Sequence, residues 1–215
     1  IADKVKAAGL KPPAVTIVGE VVALRESLRW FDLKPLFGKR VLVTRARDQA
    51  NALSEKLAEL GAEPIEFPVI QIAPPEDWGP LDAAIERLPD YDWVIFTSVN
   101  GVRALMDHLW ELGQDVRALH GVRLCAIGPA TAAELERYHL KVDLVPHKYV
   151  AEAILEDIGD VSGQRILLAR ADIARQTLPL ELRRAGAIVD EVTAYRTVLA
   201  DSPADNVHQM LRDGE

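Results

Sequence analysis

Two hydrophobic rhythms alternate along most of this chain. Short, nearly continuous apolar runs such as Val41-Leu-Val43 and Trp93-Val-Ile-Phe96 are followed by stretches whose apolar residues recur at helical spacing. The continuous runs read as strands covered on both faces. From Gly38 the pattern predicts a strand at 40–44, a helix at 49–60 with Leu53, Leu57 and Leu60 on one face, and a strand at 63–72. Gly61 suits the position just past a helix end. Pro68 removes a ladder donor, so the run around it reads as an edge or crossing strand. Turn-like composition from Pro74 to Pro80 marks a crossing between lobes. Strands at 93–97, 122–127 and 142–145 then alternate with helices at 81–88, 102–112, 132–138 and 151–158. Such alternation predicts a parallel sheet with helices on both faces, doubly wound in flavodoxin-like order.

A repeat organises this pattern. Gly38 to Glu66 aligns without a gap on Gly163 to Glu191: Arg40 falls on Arg165, Leu42 on Leu167, Arg45 on Arg170, Leu53 on Leu178, Leu57 on Leu182 and Gly61 on Gly186. Each copy is a strand, an amphipathic helix closed by glycine, and a second strand, which is one βαβ unit. Two copies far apart predict two similar α/β lobes. The second lobe, at 72–199, is expected to be complete. The first, at 38–71 with 200–215 and a helix at 205–211, is expected to be partial. Residues 1–37 follow another pattern: a helix at 3–8, an apolar run at 14–18 read as a strand, and a helix at 20–30 with Val21, Leu24 and Leu28 on one face. They read as a linker or as the tail of a second protein fused upstream.

Composition narrows the partners. The 215 residues carry a formal net charge of −8, which argues against a nucleic-acid or anionic-membrane partner. No apolar run approaches the ~20 residues of a membrane span. The lone Cys125 rules out an internal disulfide and fits a reducing cytoplasm.

In doubly wound sheets ligands bind beyond the carboxyl ends of the strands. That rule selects Thr44 and Arg45, Thr97, Ser98 and Asn100, Gly128-Pro129-Ala130-Thr131, and Arg170. Two of these turns lead into helices, whose free N–H groups receive carboxylates or phosphates. Ser98 and Thr131 are also ordinary helix caps, and taken singly the cap is the better reading. As a set, with two arginines beside them, a polyanionic ligand is favoured. No nucleotide fingerprint is present. The five histidines are scattered, without metal spacing, and read as surface residues. Tyr195, at the end of the closing strand, is either a proton donor facing a cleft or a half-buried strand residue.

These residues carry a resemblance. Leu42-Val-Thr-Arg45, Phe96-Thr-Ser98, Ala126-Ile-Gly-Pro-Ala-Thr131 and Tyr195-Arg-Thr197 resemble uroporphyrinogen-III synthases, in order and at suitable spacing, over 38–215. The upstream Pro12-Pro-Ala-Val-Thr-Ile-Val-Gly-Glu-Val22 and Leu28-Arg-Trp-Phe31 resemble the C-terminus of uroporphyrinogen-III C-methyltransferases, which are often fused ahead of such synthases. The resemblance implies two flavodoxin-like lobes with parallel sheets, joined by a two-stranded connection near 70–72 and 195–197, the first lobe incomplete. It implies cyclisation of hydroxymethylbilane with inversion of the last pyrrole and loss of water, without a cofactor or metal. Tyr195 and Thr131 would be catalytic, with Tyr195 assisting departure of the hydroxyl. Thr44, Arg45, Thr97, Ser98, Asn100, Gly128, Pro129, Ala130 and Arg170 would hold substrate carboxylates.

The sequence departs from that family in lacking the returning strands of the first lobe and second copies of its turns. Such a chain is expected to be a fragment with little synthase activity. Its parent would be a monomer, and its own first lobe would be mobile or completed by pairing, in a dimer or with the strand at 15–18. A non-catalytic anion-binding module on the same scaffold is the alternative, and a nucleotide-binding enzyme a weaker one.

Overall fold

The structure, a computed structural model, describes residues 2–11, 14–200 and 205–213. In chain order its elements are α1 (Ala2–Ala7), α2 (Arg25–Leu28), β1 (Arg40–Val43), α3 (Arg47–Glu59), β2 (Glu63–Glu66), β3 (Ile70–Ala73), α4 (Gly79–Glu86) and β4 (Trp93–Phe96). They continue with α5 (Val99–Glu111), β5 (Arg123–Ala126), α6 (Pro129–Arg137), α7 (Ala151–Asp157), β6 (Arg165–Ala171), α8 (Thr177–Arg184), β7 (Ile188–Leu199) and α9 (Asp205–Asp213). Contacts divide the chain into two units, Ile1–Pro68 with Ser202–Glu215, and Val69–Asp201.

In the first unit β1 and β2 pair in parallel from Arg40↔Glu63 to Val43↔Glu66, with α3 as the crossover. Gly61 ends α3 at φ 91°, and a Cβ there would come within 2.8 Å of the Lys34 Cβ. The Leu36 N–H donates to the Leu60 carbonyl at 3.0 Å, so the turn before β1 is seated against the end of α3. Only a glycine permits both the backbone angle and the approach.

Upstream, two expectations fail. The run at 14–18 is not a strand: Val15, Ile17 and Val18 are 89%, 67% and 80% exposed, and it does not pair with the β1–β2 sheet. The helix expected at 20–30 shrinks to a 3-10 turn at Glu20–Leu24 and one α-turn, α2. Its apolar face, Val21, Leu24 and Leu28, remains more than half exposed. Short helices without an apolar surface to cover are marginal in water, which explains the fraying.

The strand expected at 63–72 breaks around Pro68, and its halves join different sheets. β2 lies in the first unit. β3 runs antiparallel to β7 in the second, from Ile70↔Leu199 to Ala73↔Arg196. The second sheet has the order β3-β7-β6-β4-β5. Its four parallel strands follow the flavodoxin-like order, and the antiparallel β3 makes it mixed rather than purely parallel. Alternate side chains divide the core. Val94, Phe96, Leu124, Leu167 and Ala169 face α4, α5 and α6. Trp93, Ile95, Cys125, Ile166 and Leu168 face α7 and α8. The strand expected at 142–145 is reduced to one bridge, Cys125↔Leu144. There the Asp143 carboxylate accepts the Leu124 N–H at 2.7 Å, in place of a backbone carbonyl.

The two halves of β7 serve different ladders. Beside β6 the register slips between Arg170↔Thr193 and Ala171↔Tyr195. This bulge leaves the consecutive residues Ala194 and Tyr195 both buried, at 1% and 7% exposure. Both belong to the same core cluster, where strict alternation would have placed them on opposite faces of the sheet.

Candidate functional site

The chain leaves β4 toward β5 but leaves β6 toward β7, on the opposite side. The carboxyl ends of β4 and β6 therefore flank a topological switch point, where open α/β sheets form their ligand crevice. A cleft of about 450 Å³ lies there. Thr97, Ser98, Arg170 and Tyr195, each selected from the sequence, all line it.

Ser98 caps α5, its Oγ accepting the Gly101 N–H at 3.0 Å. The same Oγ lies 2.9 Å from the Tyr195 hydroxyl. Helix capping and contact with the phenol thus come from one side chain, so the two readings of Ser98 are not exclusive. Gly101 makes the approach possible: a Cβ there would stand 2.7 Å from the Ala169 carbonyl oxygen. The bulge in β7 sets where the Tyr195 ring enters, and Asp172 holds the backbone there with two hydrogen bonds. The Asp172 N–H donates to the Tyr195 carbonyl at 3.2 Å, and the Asp172 carboxylate accepts the Thr197 N–H at 3.1 Å.

Arg170 is a buried cation at the cleft wall, 5% exposed. Its Nη2 donates to the Arg175 carbonyl at 2.6 Å, and its Nη1 lies 3.4 Å from Glu191 Oε1. That carboxylate oxygen also accepts from Gln176 Nε2 at 3.0 Å. Burial pushes the Arg170 guanidinium below its ordinary range, partly offset by Glu191 and Tyr195. Nε and Nη1 have no hydrogen-bond partner, an expensive condition for buried donors. A positive field beside a phenol stabilises any negative charge that develops on its oxygen.

The remaining sequence-selected residues lie elsewhere. Gly128 is the N-cap of α6, and Pro129, Ala130 and Thr131 form its first turn. Thr131 is 4% exposed, is not a cap, and does not line the cleft. Asn100 is the second residue of α5 and does not line it either. Thr44 and Arg45 follow β1 in the other unit. The histidines are not all superficial: His108 is 6% exposed, stacked on Trp78, with Nε2 2.6 Å from Asp82 Oδ1. Its helical position, facing α4, carried that signal. Sequence reasoning missed Tyr149, Ile173 and Arg175, which line the cleft from loops without periodicity. Among the described residues no group of three His, Cys, Asp or Glu could hold a metal, and no helix is long and apolar enough to cross a membrane.

Fold and cleft together define a doubly wound α/β protein with a hydroxyl pair and a buried guanidinium at its switch point. The family described as "Uroporphyrinogen-III synthase HemD" matches residues 51–215. The chain belongs to this uroporphyrinogen-III synthase family. It is 34% identical over 210 residues to the "Porphyrin biosynthesis protein HemD" of Ruminiclostridium josui, covering 96% of this chain and 41% of that protein. It is 36% identical over 184 residues to a uroporphyrinogen-III synthase of Synechococcus elongatus, covering 83% of this chain and 68% of that one. A crystal structure of a uroporphyrinogen III synthase from Thermus thermophilus shares the fold, with a TM-score of 0.62 at 22% identity over 83% of this chain and 70% of that one.

Proposed function

We propose that the chain is the synthase part of a longer protein with uroporphyrinogen-III synthase activity, which closes hydroxymethylbilane into a ring, inverts the last pyrrole and releases water. The observation that carries this reading is the 2.9 Å pair of Ser98 and Tyr195 hydroxyls beside the buried Arg170. Ser98 Oγ already accepts the Gly101 N–H, so its own proton is available to Tyr195 Oη. The phenol proton is then directed to the ligand. Tyr195 donates it to the departing hydroxyl, which leaves as water. The carbon–oxygen bond breaks and the terminal methylene becomes electrophilic. The last pyrrole attacks it through its substituted α-carbon, and the bond from that carbon to its original bridging methylene breaks. That methylene re-bonds at the pyrrole's free α-carbon, which inverts the ring and releases that carbon's proton. Arg170 stabilises the phenolate until a proton returns from the new ring. The cleft orients the two ends of the bilane, and orientation is the larger part of the catalysis.

Asn100 and the turn at Gly128, Pro129 and Ala130 belong to the same proposal as outer contacts for carboxylate arms, as do Thr44 and Arg45, while Thr131, catalytic in the resemblance, is 4% exposed and takes no step in this reading. The chain is read as part of a longer, cytoplasmic, monomeric protein with a methyltransferase ahead of the synthase. Two likenesses support this. The match to the R. josui protein takes in most of 1–37 yet spans 41% of that protein. A "Siroheme synthase" of Pseudoalteromonas atlantica is 64% identical over 31 residues. The test is cyclisation of hydroxymethylbilane by the full-length parent protein, with the type I and type III isomers separated. Type III formation that falls ~10²-fold in Tyr195→Phe supports the reading, and spontaneous type I alone sinks it.

A further inference from the structure

The cleft differs in character between floor and mouth. Its floor is polar: Thr97, Ser98, Tyr195 and the buried Arg170. Its mouth carries three exposed apolar side chains, Tyr149, Val150 and Ile173, at 62%, 47% and 69% exposure. A tyrosine so exposed usually leans on nothing in particular, but Tyr149 does not. One side of its ring rests on the backbone of Gly128, where a Cβ would come within 3.2 Å of the ring carbon Cγ. A glycine at the cap of α6 is therefore used to seat an aromatic ring, and the ring is held at the cleft while remaining open to solvent. Arg175 is exposed at the same mouth. Its backbone is tied down, since its carbonyl accepts from Arg170 Nη2.

A seated ring and an exposed arginine lining one cleft, with a polar floor, suit a ligand built of aromatic rings with acidic arms. Aromatic faces take electron-rich rings without directional hydrogen bonds, and a guanidinium takes carboxylates. Volume adds a constraint. About 450 Å³ is near the small end for ligand sites, so a chain of four pyrroles cannot lie wholly within it. Only part of it enters, and something must hold that part. We propose that Tyr149 is a substrate-binding residue that stacks one pyrrole ring at the cleft mouth while Arg175 takes a carboxylate arm of the same ring. This rests on the synthase reading above. It adds a ring platform that binds one end of the substrate alike in the ground and transition states.

The experiment uses the full-length parent protein and two readouts. The first is binding of uroporphyrin I, a stable porphyrin with the same acetate and propionate arms, followed by its fluorescence. The second is KM, kcat and the type III share with hydroxymethylbilane. Tyr149→Ala is expected to weaken porphyrin binding and raise KM by about tenfold each, a stacking-sized loss. It should leave kcat within about threefold, the pattern of lost binding shared by ground and transition states. Tyr149→Phe, which keeps the ring, should restore both to within about twofold. Arg175→Gln should weaken binding and flatten its salt dependence. Should Tyr149→Ala fold poorly, Tyr149→Leu, which still covers Gly128 but has no ring, takes its place with the same expectation. Porphyrin binding and KM indifferent to Ala and Leu, or equally lost in Phe, would overturn the platform. Intact, Tyr149-dependent porphyrin binding in a chain that makes no type III isomer would instead overturn the synthase reading and leave the platform standing.

Discussion

Substituting Gly101→Ala perturbs stability and site geometry at one atom. The new Cβ would sit 2.7 Å from the Ala169 carbonyl oxygen and 3.4 Å from Ser98 Oγ. The first contact is closer than real Cβ atoms come to their neighbours. Its partner is backbone in the central strand β6, so no side chain can swing away to relieve it. Either α5 lifts off the sheet or β6 bends. Overpacking of this kind costs about 1–3 kcal/mol. Against it stands the helix preference for Ala over Gly, up to about 1 kcal/mol in a helix interior and less in the first turn, where Gly101 lies. The steric term wins, leaving a net destabilisation of about 1–2 kcal/mol. For a unit of this size that is a fall in Tm of ~3–8 °C, read by calorimetry or by circular dichroism. The Ser98 hydroxyl shifts with the helix, so kcat should drop about tenfold if its contact with Tyr195 matters, because sub-ångström misplacement already weakens catalysis. A Tm unchanged or raised in Gly101→Ala would refute the claim that helix and strand touch at this point.

Ser98→Ala removes both a cap and the phenol's partner, so a stability loss of about 1 kcal/mol should accompany a fall in kcat, separable by unfolding and turnover measurements. A stability loss without any change in turnover would assign Ser98 to capping alone. Glu134, held by Arg103 at 2.8 Å, has its carboxyl drawn below the ordinary carboxylate range, chiefly by that hydrogen bond. Its folded-state value is depressed, so its contribution is present above the unfolded value near ~4.3 and is lost as pH falls through the lower folded value. Melting curves from pH ~6 to ~3 should show this loss, and Glu134→Gln should flatten it. Cys125 is fully buried, and burial pushes its thiol up to about 12. A thiol reagent should therefore modify it only at the rate of unfolding, and fast labelling of the folded chain would contradict the packing. Arg170→Met keeps the volume but removes the buried charge. It should cost turnover ~10-fold or more and also lower stability, since Glu191 and the Arg175 carbonyl lose their cationic partner.

Much of the fold was legible because local rules and tertiary outcome agree. Where apolar runs alternate with helical periods, from 93 to 199, strands and helices form where the pattern places them except at 142–145, which is reduced to one bridge, and the central strands of the sheet are buried on both faces. The ungapped repeat marked β1-α3-β2 and β6-α8-β7 as equivalent units, and both pair in parallel. The carboxyl-end rule selected Thr97, Ser98 and Arg170, which line one cleft with Tyr195, but also Thr44, Arg45, Asn100 and 128–131, which do not line it. Local pattern failed where the partner decides the state. The run at 14–18 has strand composition but no ladder, and the helix at 20–30 has an apolar face but nothing to cover it. Strand and helix propensities are weak until a surface is buried. Three further features depend on atoms distant in sequence. The splitting of 63–72 between two sheets is set by which strand waits beyond Pro68. The bulge that buries Ala194 and Tyr195 together is set by the register against β6. The seat of Tyr149 on Gly128 is made by two loops that no periodicity relates. Periodicity reports which face of an element is apolar. It carries no information about the register or neighbour that face meets, and in this protein those two choices decide which side chains reach the cleft.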